Sequence, residues 1–213
     1  MLMLHLRSYL GAVLLAAWLS AGAGVYEDMM HAIDINDERG VANLLKRGVD
    51  VDTVAPNGDT LLMLAAKEGK PGMVKTLLAA RPKVNARNPY GETALMLAVF
   101  HGHTDVVRQL LAQGASVNHS GWTPLLYATA RNRVDVARLL ISHGAKVNDP
   151  SGNGTTALMM AAREGHLAMV LFLLEQGANL AQKNENGLTA LKLAQDRGWR
   201  EIADMLVRAG AKE

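Results

Sequence analysis

The amino-acid sequence predicts a repeat protein, an elongated stack of similar units rather than one or two globular domains. Three ladders of residues predict it. Gly-x-Thr recurs at Gly58-Asp59-Thr60, Gly91-Glu92-Thr93, Gly121-Trp122-Thr123, Gly154-Thr155-Thr156 and Gly187-Leu188-Thr189, in steps of 33, 30, 33 and 33 residues. Leucine pairs follow in the same phase at 44–45, 77–78, 110–111, 139–140 and 173–174. Val51-Asp52, Val84-Asn85, Val117-Asn118 and Val147-Asn148 form the third ladder. Self-similarity at a fixed period of about 20–50 residues is the mark of stacked repeats.

The first residues are an address, not a repeat. Ser8 to Tyr26 carry no charge and follow Arg7. The most apolar part is Leu10 to Leu19, and Ser20-Ala21-Gly22-Ala23-Gly24 are all small. A basic start, an apolar stretch of about 7–15 residues and an A-x-A ending are the parts of a secretory signal peptide. The expectation is a signal over residues 1–23, cut after Ala23 with Ala21 as the alternative, and a repeat domain over 24–213. The alternative is an uncleaved anchor that tethers the same array to a membrane. A spanning helix needs about 20 apolar residues, and here the run is shorter. With no cysteine after it there is no lipoprotein signal. The short single-Arg start points to a bacterial, periplasmic or secreted destination.

Composition narrows the function. The 213 residues hold 22 Lys and Arg against 20 Asp and Glu, so no strongly basic face is offered to nucleic acid. Apolar residues make up 49%, enough for a core. There is no cysteine, hence no disulfide, thiol nucleophile or cysteine metal site.

The repeats resemble the ankyrin family, whose units start Gly-x-Thr-Pro-Leu-His-x-Ala and continue Gly-His-x-x-x-Val-x-x-Leu-Leu. The resemblance covers about residues 25–213. It implies an all-α ankyrin-repeat solenoid of about six helix-turn-helix units with β-hairpin fingers. The units fall at about 25–57, 58–90, 91–120, 121–153, 154–186 and 187–213.

Each element has a physical reason. Thr60, Thr93, Thr123, Thr156 and Thr189 are placed to cap the inner helices. Pro124 occupies a first turn, where a missing N–H costs nothing. Ala65-Ala66, Ala98, Ala128 and Ala161-Ala162 are small because inner helices approach closely. Gly69, Gly102, Gly165 and Gly198 end the inner helices in a left-handed conformation. Asn36 and Asn132 take that slot in units one and four. Val106-Val107 and Leu110-Leu111, with their equivalents, form the apolar stripe of the outer helices.

The sequence departs from the family in three ways. The motif histidine is replaced by Met63, Met96, Leu126, Met159 and Lys192. Methionine is expected to fill that space without a polar link. Pro71-Gly72 opens the second outer helix, and Gly72 is expected to weaken it by up to ~1 kcal/mol. The link Asn118-His119-Ser120-Gly121 is three residues shorter than Asn85 to Gly91, so its finger is truncated.

The resemblance implies that contacts lie on the concave face of fingers and inner helices. There the exposed positions are Asn57, Asp59, Lys67 and Glu68; Tyr90, Glu92, Phe100 and His101; His119, Trp122, Ala130 and Arg131. Asn153, Thr155, Arg163 and Glu164, then Asn186, Leu188, Asp196 and Arg197, follow in units five and six. Tyr90, Phe100 and Trp122 are three of only seven aromatics outside the address. Aromatics and Arg dominate interface energies. The candidate partner-binding centre is therefore Tyr90, Phe100, His101, Trp122 and Arg131, at a notch left by the short finger. The competing expectation is that these rings merely pack on one another over the gap.

Other chemistry is not expected. His101 and His103 are two apart, but no pair of histidines has helical metal-ligand spacing. No Gly-x-Ser-x-Gly elbow or phosphate-binding loop occurs. Asp105, Asp135 and Glu201 recur near outer-helix starts, where they complement the helix dipole. Trp199 replaces the turn histidine of the last unit and is expected to cover the open end of the stack. The expectation is a monomeric binding protein, not an enzyme, with no cofactor and no metal. It takes another protein, such as a periplasmic enzyme, as partner.

Overall fold

The computed structural model describes residues 24–212; the expected signal at 1–23 lies outside them. Twelve helices follow in order among the described residues. α1 covers 24–34. The rest are α2 (Glu38–Lys46), α3 (Leu61–Lys67), α4 (Pro71–Ala79), α5 (Ala94–His101), α6 (Thr104–Ala112), α7 (Pro124–Ala130), α8 (Val134–Ser142), α9 (Ala157–Glu164), α10 (Leu167–Glu175), α11 (Ala190–Asp196) and α12 (Arg200–Arg208).

The helices stack in two rows. Inner helices α3, α5, α7, α9 and α11 each pack on the next, as do outer helices α2, α4, α6, α8, α10 and α12. From α3 onward each inner helix also packs on the outer helix that follows it. This is an all-α repeat solenoid. Ala65, Ala66, Ala98, Ala128, Ala161 and Ala162 are fully buried, so inner helices meet through methyl groups. Val107, Leu110, Val136, Leu140, Val170 and Leu173 seal the outer row. Such short helices are unstable alone, so stability comes from stacking neighbours.

Helix starts follow a rule for each row. The hydroxyls of Thr60, Thr93, Thr123, Thr156 and Thr189 accept from the N–H three residues on, at 3.2–3.3 Å. From α4 onward the outer helices have no such cap. Their entry residues reach back to the preceding unit instead. Lys70 Nζ donates to Ile33 O at 2.9 Å, His103 Nε2 bonds Lys67 O at 3.0 Å and Trp199 Nε1 donates to Arg163 O at 3.1 Å. The Lys67 and Arg163 carbonyls are C-terminal helix groups that accept no backbone bond among the described residues, whereas Ile33 O also accepts from Asn36 N at 3.1 Å. Trp199 thus ties unit six to unit five rather than covering the open end. Its ring lies where a side chain at Gly165 would have to go, and Gly165 has φ +77°. Both reasons require glycine there.

A second tie runs through the valine-asparagine ladder. Asn85 accepts from Ser116 N at 2.8 Å and donates to Gly114 O at 3.2 Å. Asn118 does the same with Lys146 N and Gly144 O, and Asn148 with Asn179 N and Gly177 O. Asp52, which has no amide donor, accepts from Lys83 N at 2.8 Å.

Several expectations change. Met63 and Met159 do more than fill space. Their sulfurs lie 3.4 and 3.5 Å from the N–H groups of Thr60 and Thr156 and accept weakly from them. Gly72 faces the Glu38 carboxylate of α2, a flexible side-chain end that could turn aside, so nothing in the packing requires glycine there. Arg81 takes a left-handed φ of 57°, where Gly48, Gly114, Gly144, Gly177 and Gly210 stand in the other units. The implied β-hairpin fingers are tight turns. One isolated bridge, Val54 with Thr60, is the only strand pairing among the described residues. Ala55 N donates to Asp59 O and Gly58 N to Ala55 O, both at 2.8 Å, and the same pair of bonds recurs at 88–92, 151–155 and 184–188. Five residues closed this way leave no length for a ladder.

Candidate functional site

The short link has neither of those turn bonds. His119 organises it instead. Arg87 Nη2 donates to His119 Nδ1 at 2.7 Å, and His119 Nε2 donates to Ser116 O at 2.9 Å. This requires the neutral ring. Burial first, and then the Arg87 charge, hold its pKa below the usual imidazole range, against an opposing pull from the Ser116 carbonyl. A cleft of about 390 Å³ opens beside it, lined by Asn118, His119, Ser120, Lys146, Asp149 and Pro150.

Toward the inner helices lies an aromatic cluster. Thr93 starts α5 so that Phe100 and His101 come at its last turn. Thr123 and Pro124 start α7, with Trp122 just before it, Tyr127 in its middle and Arg131 at its C-cap. Tyr127 is the hub. Its ring stands edge-on to Phe100, centroids 5.9 Å apart, and tilted to Trp122 at 5.2 Å. The Arg131 guanidinium lies 3.9 Å over the Phe100 ring. His101 meets Phe100 edge-on at 5.2 Å and stacks on His103 at 6.0 Å. Burial, then the charges of His103, Lys67 and Arg131, lower the His101 pKa, while Glu68 opposes.

Four of the five sequence-predicted residues therefore meet. The structure joins Phe100, His101, Trp122 and Arg131, and leaves Tyr90 on the finger tip, 82% exposed and outside these ring contacts. The rings do pack on one another, yet Trp122 stays 47% exposed. Arg131 and His101 are exposed and Phe100 is half-buried.

Sequence reasoning places Tyr127 on the same inner helix as Trp122 but leaves it out of the site, and it missed the role of Glu92. Tyr127 donates to Glu92 Oε1 at 3.0 Å, and Asn88 holds the other Glu92 oxygen at 3.1 Å. Asn88 also donates to Asp59 at 2.8 Å. Burial, and then Glu92, push the Tyr127 pKa up to about 12. The available signal was an aromatic in a slot filled by Leu64, Leu97, Met160 and Leu193 elsewhere. Asp59 and Thr155, expected to be exposed, are 5% exposed. The turn explains this. Their carbonyls close the fingers, and the Asp59 carboxylate is held by Asn57 and Asn88.

The cluster offers flat apolar faces and N–H donors. Arg131 and the Trp122 indole carry donors only, and no hydrogen-bond partner faces either among the described residues. His119 is engaged with Arg87 and does not join the His101–His103 pair. Among the described residues, no group of three or more His, Asp or Glu is arranged to hold a metal ion. No helix among them is long and apolar enough to cross a membrane.

Stacked helix pairs with a row of turns along one side define a helical repeat protein, built to present a surface. A family model that itself spans three ankyrin repeats, "Ankyrin repeats (3 copies)", matches residues 29–120, 62–151, 115–184 and 147–213. The chain belongs to the ankyrin repeat family. Such repeats generally mediate protein–protein interaction and are typically non-enzymatic. The search of curated proteins finds no match.

Proposed function

We propose that this is an exported ankyrin-repeat protein that holds another protein against its finger and inner-helix face, centred on Phe100, His101, Trp122 and Arg131, with Tyr90 at the rim. One observation carries the reading. Three rings and an arginine form an ordered cluster whose outer members remain in solvent. An aromatic group that served packing alone would bury its largest ring. Binding by a preformed surface lowers the ordering cost of association. No catalytic role is assigned. Export, to the periplasm or beyond, is supported by the residue pattern before Gly24.

Two experiments test the reading. A pull-down from the exporting compartment with wild-type protein and Trp122→Ala should lose the partner in the variant. Recovery of the same partner with both forms sinks the site. Sequencing the N-terminus of the mature protein should begin at Gly24, whereas an intact start would favour the tethered alternative.

A further inference from the structure

We propose that the partner segment presents an acidic side chain, Asp or Glu, to Arg131, beside an apolar side chain that covers Trp122 and Phe100. This rests on the proposed role of that face. The Arg131 guanidinium is stacked 3.9 Å over Phe100 and exposed, with no carboxylate paired to it among the described residues. Stacking fixes the plane of the fork, and a planar fork matches a carboxylate with two parallel hydrogen bonds.

The carboxylates nearby do not serve it. Glu92 is held by Tyr127 and Asn88, and Glu164 pairs with Arg163 at 2.8 Å. Glu68 acts on His101, as do Lys67 and His103, but forms no ion pair among the described residues. The Trp122 indole adds a second open donor. A partner bringing donors would leave all of these unmatched, whereas one bringing a carboxylate satisfies them. The cluster sits mid-array, with α3 on one side and α9 and α11 on the other. A bound segment therefore continues past it in both directions, so a side chain rather than a chain end supplies the acid. Alternate side chains of an extended segment share one face, so acid and apolar residue are two apart.

The test uses the full chain and short random peptides displayed with blocked C-termini. The selected peptides should carry Asp or Glu within a few residues of Trp, Phe or Leu. For a selected synthetic peptide, Arg131→Gln should weaken binding about tenfold or more and erase its preference over the Asp→Asn or Glu→Gln version, and Arg131→Lys should restore part of it. If Trp122→Ala weakens the peptide while both the acid exchange and Arg131→Gln leave it unchanged, the inference fails and the face survives. If free C-termini are selected in place of acidic side chains, the inference also fails. If nothing is selected that Trp122→Ala weakens, the face fails, and the inference with it.

Discussion

Units three and four and units five and six present the same repeat positions to solvent, but fill them differently. At α5 and α7, Phe100, Tyr127 and Trp122 cluster under an arginine without an acid partner. At α9 and α11 two cations pair within the chain: Arg163 with Glu164 and Lys192 with Asp196, both at 2.8 Å. Arg197, which stands where Arg131 does, has no ring beneath it among the described residues. The fingers differ too. Those at 151–155 and 184–188 close through backbone bonds, whereas the link at 118–121 rests on His119 and Asn118. One scaffold thus carries a half with internal ion pairs and no ring cluster among the described residues, and a half in which an arginine is stacked among exposed rings. Position in the repeat makes a residue available; its neighbours decide whether it remains so.

Replacing Tyr127 by leucine, the residue type of the matching slots in units two, three and six, should erase the difference. The change removes a charge-assisted hydrogen bond and two ring contacts, at a cost of about 1–3 kcal/mol in urea unfolding. A change within error would mean that the hub contributes nothing. Asn118→Ala should cost about 1–2 kcal/mol. It should exceed Asn148→Ala, because no finger turn backs up the short link. Equal losses would contradict that contrast.

Arg81→Gly should raise stability by roughly 0.5–1 kcal/mol, since a left-handed non-glycine residue is strained. A loss would show that the Arg81 side chain matters more than its backbone. The smallest effect concerns pH. The His101 and His119 pKa values are lowered on folding, so the folded chain binds fewer protons than the unfolded one. Their contribution is present above the ordinary value of 6.5 and is lost as pH falls through the lowered folded values. Urea midpoints should therefore fall between about pH 8 and pH 5, and less so in His119→Gln. An unchanged pH difference in the variant would remove His119 from the account.

Much of the fold was legible because repeats report on themselves. Threonine caps, alanine contacts and left-handed Asn36 and Asn132 followed from spacing. What was not legible depends on where individual side chains turn, within a unit or toward the next. A sulfur turned toward its own helix start, the backward reach of Trp199 and the Tyr127–Glu92 bond follow from side-chain direction, which position in the repeat does not set. Arg81 lay hidden because a non-glycine residue gives no sign of the left-handed turn that glycine marks in the other units. At the site, the exposed positions that the family resemblance implies led to Phe100, His101, Trp122 and Arg131, while Tyr90 entered through its finger position and stands apart.

The central claim is that the exposed cluster binds rather than braces. Trp122→Ala tests it most directly, with peptide affinity and urea stability measured on the same preparation. The account predicts a loss of binding of about 2 kcal/mol or more, near thirtyfold, with stability falling by no more than about 1.5 kcal/mol, the worth of its one ring contact with Tyr127. Unchanged affinity, or a large loss of stability, would contradict it.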